Sequence, residues 1–182
     1  MNYFFPLFFF LLLIGCDTSL GDKKDLAVYR FENSLFSVNS DNIDDKQIIW
    51  NENLGIFVNY FNDFLFNNSN DTKLQKSVID FVNHPDMREV YDSINKNFND
   101  FSLYENQINN AVANYNYLIP SKQTPHFITM FSGFNYGVIT YDSVVAVGLE
   151  FYLGKNSVFY ERLGNPESVS YTHLTLPTKS TV

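Results

Sequence analysis

The hydrophobic period of this chain changes once, at Pro120, and that change limits the fold more than any motif does. Before it, apolar residues recur every three or four positions, the spacing of one helix face. A first stripe joins Ile56, Tyr60, Phe61, Phe64 and Leu65, and a second joins Leu74, Val78, Phe81 and Val82. A third joins Met87, Val90, Tyr91, Ile94 and Phe98, and a fourth joins Tyr104, Ile108, Ala111, Val112 and Tyr115. Asp71 is placed to cap the second helix, and His84-Pro85 ends it, because the residue before proline is pushed out of the α region. After Pro120 the period is two. "PHFITMFSGF" (125–134) alternates, and "YGVITYDSVVAVGLEFYLG" (136–154) predicts a second strand region with a turn at Tyr141-Asp142-Ser143. The unbroken apolar run Val144–Val147 predicts a strand buried on both faces. Residues 26–36 are read as a short strand or extended segment ending in a turn, and 37–47 as polar loop. Helices followed by strands make the fold class α+β, a helical N-terminal half with a small β-sheet region.

The N-terminus carries a different kind of information. "MNYFFPLFFFLLLIGC" has an apolar run from Tyr3 to Ile14. A helix needs about 20 apolar residues to cross a bilayer, so this run is too short and fits the core of a signal peptide. Its end, Leu13-Ile14-Gly15-Cys16, resembles the bacterial lipobox. The thiol of Cys16 would take the diacylglycerol, and the small Gly15 would admit the peptidase that cuts before it. Residues 1–15 are therefore expected to be a lipoprotein signal peptide, and 16–25 a lipidated polar tether that holds the protein to a membrane.

The remaining composition mostly excludes. Apolar residues make up 45% of the chain and aromatics 18%, enough for a core. The net charge is −8 and there is no Lys/Arg cluster, which argues against a nucleic-acid partner. One cysteine cannot form an internal disulfide. The three histidines, His84, His126 and His173, stand in no zinc-binding frame, so neither a metal nor a cofactor is expected. His84 is read as a helix-end residue and His126 as a strand-edge residue. No phosphate loop, dinucleotide fingerprint or serine-nucleophile elbow occurs, and "FSGFNYG" has the spacing of a turn. Asp142 and Glu150 could in principle serve as an acid/base pair. They are read instead as a turn residue and as a strand-end residue or partner of a base, and no catalytic residue is expected.

Two segments carry a family resemblance. "VYRFENSLF", with Arg30, Phe31, Leu35 and Phe36, resembles the opening that follows the lipid tether in gliding motility lipoproteins of the GldB type. "TPHFITMFSGFNYGVITYDSVVAVGLEFYLG" resembles their central block, ending on Gly148, Leu149, Glu150, Tyr152, Leu153 and Gly154. Val147 and Glu150 are conservative departures from that pattern, and "FYERL" (159–163) fits its continuation. The resemblance implies a lipid-anchored cell-envelope component of the gliding machinery of Bacteroidota, with a non-enzymatic or unproven biochemical role and protein partners in that machinery. It also implies a distant likeness to zinc metallopeptidases, whose active-site helix follows such a strand pair.

The last residues, "SVSYTHLTLPTKSTV" (168–182), resemble nothing before them. Ser168–Thr178 back-translates into a string resembling the transposon-end adapter of sequencing libraries. Residues 168–182 are thus expected to be read-through, and 26–167 an incomplete domain. Two other readings stay open at this level: a truncated relative of a membrane-anchored zinc peptidase, and an unrelated envelope binding lipoprotein.

Overall fold

The computed structural model of the chain describes residues 26–67, 71–154 and 157–163. The signal peptide, Cys16, the tether and the 168–182 tail lie outside the described residues. Strand β1 (Tyr29–Arg30) runs directly into helix α1 (Phe31–Phe36). Helices α2 (Ile43–Leu54), α3 (Ile56–Phe66), α4 (Asp71–Asn83), α5 (Pro85–Asn97) and α6 (Ser102–Leu118) follow. Then come β2 (His126–Met130), β3 (Val138–Tyr141), β4 (Val144–Gly148), a 3-10 turn at Leu149–Tyr152, and α7 (Val158–Arg162). The class is α+β, as the change of period predicted.

Local chemistry explains the helix boundaries. Asn39 Oδ1 accepts from the amides of Asp41 and Asn42, and Asn42 Oδ1 accepts from the amide of Asn39. This pair of side chains turns the chain into α2, so the loop expected over 37–47 ends at Asn42. Gly55, at φ +52°, separates α2 from α3 in a conformation that side chains disfavour. Asn67 ends α3 in the left-handed region, which Asn tolerates. His84 caps α5, its Nδ1 accepting from the Asp86 amide at 3.2 Å, with Pro85 at the first helical position. Asp100 accepts from the Ser102 amide at 3.0 Å at the start of α6.

The sheet order is β1-β2-β4-β3. β1 and β2 are parallel, β2 and β4 are parallel, and β3 and β4 form a hairpin turned at Asp142-Ser143. Asp142 takes φ +49° there. One strand therefore precedes the helices: the sheet recruits Tyr29 and Arg30, opposite Ile128 and Thr129. The short strand expected within 26–36 is thus found at Tyr29–Arg30, but the extended reading of the rest is corrected, because Phe31–Phe36 forms helix α1 and buries Phe31, Leu35 and Phe36.

The inner sheet face, through Ile128, Met130 and Ala146, packs against a core built round Phe31. The Phe31 ring meets Trp50 at 5.1 Å, Phe57 at 5.4 Å and Phe61 at 4.8 Å, each edge-on or nearly so. Phe36 stacks on Tyr91 at 4.2 Å. The predicted stripes on α4 and α5 face this core. Two others are rotated. In α3 the buried residues are Phe57, Val58 and Phe61, while Ile56 and Tyr60 are exposed. In α6 they are Asn109, Val112 and Ala113, while Tyr104 and Ala111 are exposed. Both helices are apolar on several faces, so periodicity alone does not select the buried one.

Candidate functional site

Period-two alternation gives β2, β3 and β4 a second, outward face: Phe127, Thr129, Val138, Val145 and Val147. These side chains floor an apolar groove of about 640 Å³. Phe98, Phe101 and the α6 residues Tyr104, Ile108 and Ala111 also line it, with Val28 and Leu149. The prediction that Val144–Val147 is buried on both faces is therefore corrected. Ala146 is buried, but Val145 and Val147 are half-buried and line the groove.

The first family-like segment builds one end of this region. Glu32 is fully buried. Its carboxylate accepts from Arg30 Nε at 2.5 Å and from Thr129 Oγ1 at 2.6 Å. Arg30 also donates to the Phe98 carbonyl at 2.9 Å, and its guanidinium lies 4.6 Å from the Phe101 ring centroid. Thr129, Phe98 and Phe101 all line the groove. Burial pushes the Tyr91 hydroxyl above the usual tyrosine range, and the Glu32 charge adds to the shift. Phe31, Leu35 and Phe36, the other residues of that segment, are core.

The second segment ends in another buried carboxylate. Glu150 sits on the 3-10 turn after β4 and has no exposed surface. One oxygen, Oε1, accepts from the Ser132 amide at 2.7 Å, the Ser132 hydroxyl at 2.5 Å and the Phe134 amide at 3.2 Å. The other, Oε2, is buried without a partner. Burial pushes this carboxyl up to about 7, against the opposing pull of the Ser132 and Phe134 hydrogen bonds. The expectation of a strand-end residue holds, but its partners are a serine and backbone amides, not a base. Beside it, Tyr160 donates to the Glu150 carbonyl at 3.0 Å and accepts from the Leu153 amide at 3.1 Å. Tyr152 lines the groove, and Gly154 takes φ +94° at the end of the turn.

Gly148 is required by space. A Cβ there would lie 2.4 Å from the Tyr136 carbonyl oxygen and 3.1 Å from Glu150 Oε2. Since one neighbour is backbone, Gly148→Ala is expected to lower stability by about 2–3 kcal/mol, read from urea unfolding. A loss under about 0.5 kcal/mol would mean that the 132–137 loop yields freely.

Cys16 lies outside the described residues, so the structure does not place it against this region. The two motif segments do meet in one sheet, Arg30 opposite Thr129 on one side and Gly148 opposite Met130 on the other. Among the described residues, no group of three or more His, Cys, Asp or Glu is arranged to hold a metal. His126 starts β2 and is exposed. Sequence reading passed over Ser132, Thr129 and Asn109, which are buried and polar. The signal for Ser132 was a hydroxyl directly after Met130, the end of β2, and the apolar Phe131.

A comparison with protein families matches residues 17–178 to the family described as gliding motility protein GldB. The chain belongs to that GldB family. The match begins at Asp17, directly after Cys16, and runs through both motif segments. It also takes in residues 168–178, part of the tail set aside in the sequence, which lie outside the described residues. No curated protein and no solved structure matches the chain, so the metallopeptidase likeness gains no support. GldB membership makes this a gliding-motility lipoprotein. Among the described residues no helix is long and apolar enough to cross a membrane.

Proposed function

We propose that this GldB-family chain is a lipid-anchored interaction component of the gliding machinery in the cell envelope, and not an enzyme. Cys16 carries the lipid in this reading, and the domain contacts another envelope protein of the apparatus through its outer sheet face. The observation that supports it most is the contrast between the two sides of the motif residues. The carboxylates of Glu32 and Glu150 are turned inward and engaged by Arg30, Thr129, Ser132 and Phe134. What faces outward is the apolar groove. Exposed apolar patches of this kind mark sites of contact with proteins, membranes or ligands.

The test is spreading on agar. Deletion of the gene is expected to abolish it, and the wild-type gene to restore it. Ala111 is exposed and lines the groove, so Ala111→Glu puts a charge in the groove without disturbing the core. That variant is expected to accumulate normally and fail to restore spreading. Unchanged spreading after deletion overturns the gliding role. Restored spreading with Ala111→Glu overturns the groove as the contact surface.

A further inference from the structure

The loop from Ser132 to Tyr136 hydrogen-bonds to the buried Glu150 carboxyl, and its Phe134 ring packs against Phe131, Phe151 and Tyr160. Ser132 Oγ extends that fastening inside the loop: it accepts from the amides of Asn135 at 3.2 Å and Tyr136 at 3.0 Å. The Tyr136 carbonyl lies 3.1 Å from the same oxygen and is the alternative acceptor for its single proton. The loop is strained. Gly133 and Phe134 stand in succession at φ +64° and +63°, and the second is a bulky residue that resists this region. Opening the loop would relieve that strain, and the bonds to Glu150 oppose it together with the ring contacts of Phe134.

We propose that residues 132–136 form a proton-operated latch, closed over a protonated Glu150 and released when that proton leaves. Burial favours the neutral acid and the hydrogen bonds favour the anion, with burial the larger influence. The loop's donors all reach Oε1, and Oε2 is left buried without a partner, the position open to the proton. When the acid ionises, half of its charge falls on Oε2, a buried oxygen with no protein donor. An unpartnered buried charge is among the costliest groups in a protein interior. Its readiest relief is hydration, and the loop is the cover nearest the surface, since Asn135 and Tyr136 are already exposed.

Neighbouring groups do not supply an alternative. The titratable side chains facing this site are Tyr152 on the same turn and Tyr160 on α7, while the Tyr136 ring packs away on Phe64. Tyr152 is itself pushed up by burial and by the Glu150 charge. α5 packs on the turn, yet none of its charged residues contributes to the Glu150 shift, and neither does any from β2 or β4. The folded-state value, about 7, lies above the 4.5 of an ordinary glutamate. Stabilisation by the proton is therefore whole below about 4.5 and is lost as the pH rises through about 7.

The experiment is hydrogen exchange of the full chain in mild detergent, followed by mass spectrometry at pH 6 and pH 8 and corrected for intrinsic rates. Protection of peptides spanning 131–137 is expected to fall about tenfold in the wild type, since one proton is linked to opening. α4 and α5 serve as the internal reference. Glu150→Gln places an amide nitrogen where the proton would sit, and it is expected to keep its protection at both pH values. Equal protection at both pH values in the wild type, or the same fall in Glu150→Gln, overturns the latch. Should the glutamine variant fail to fold, 13C titration of the wild-type Glu150 carboxyl decides instead. A midpoint near 7 supports the latch, and one near 4.5 overturns it.

Discussion

Phe31→Ala is expected to lower the stability of the domain by about 3–5 kcal/mol in urea denaturation, the largest loss among single core changes. The Phe31 ring is completely buried and is met by three aromatic rings from α2 and α3. Truncation removes the transfer free energy of the ring and leaves a hole between Trp50, Phe57 and Phe61. Those rings cannot readily close it, because Trp50 is tethered through its Nε1 to Ser34 Oγ at 2.7 Å. Edge-to-face contacts contribute a further share, roughly 0.5–1.5 kcal/mol per pair. Phe31→Leu keeps most of the apolar volume and is expected to recover more than half of the loss. A loss under about 1 kcal/mol for Phe31→Ala would contradict the packing described here.

Glu32→Ala is expected to cost about 3–5 kcal/mol by the opposite mechanism, the stranding of a charge. Glu32 is fully buried and the Arg30 side chain is only 17% exposed. Without the carboxylate, Arg30 keeps one bond to the Phe98 carbonyl and its contact with Phe101, and the Thr129 hydroxyl loses its acceptor. The double variant Arg30→Met with Glu32→Leu removes both charges and is expected to be markedly more stable than Glu32→Ala alone, as measured by urea unfolding. A double variant no more stable than the single one would show that the pair contributes through something other than mutual compensation. The exposed pair Lys76–Asp80 on α4 makes a suitable control, because solvent and salt screen it.

Several elements were legible in the sequence for simple reasons. His84-Pro85 marked a helix boundary because proline restricts its predecessor, and the structure adds that His84 caps the next helix. Tyr141-Asp142-Ser143 marked the hairpin because Asp tolerates the left-handed backbone that a tight turn needs. The inward faces of α4 and α5 were legible because polar residues cover the rest of each helix. α3 failed this test: "IFVNYFNDFLF" is apolar on most sides, and only the position of Phe31 decides that Phe57 and Phe61 turn inward.

The buried carboxylates show the same limit in chemical form. Glu32 follows Phe31 in the sequence as any surface glutamate might, and Glu150 follows Leu149 in the same way. Their burial comes from partners 97 and 18 residues away, Thr129 and Ser132. Membership of the GldB family, by contrast, was legible from two short segments and their order, because such patterns are properties of the chain and not of its folding.

By itself, then, the sequence determined the α+β class, the boundaries of α4, α5 and α6, the hairpin and the family, since each rests on backbone preference, hydrophobic period or motif order among near neighbours. Only the tertiary structure decided which faces are buried, that Tyr29 and Arg30 join the sheet, and that Glu32 and Glu150 are desolvated. Only it decided that the outer face of β2 and β4 remains an open apolar groove. Desolvation and pairing depend on contacts between residues far apart in the chain, and no local pattern encodes the free energy of such a contact.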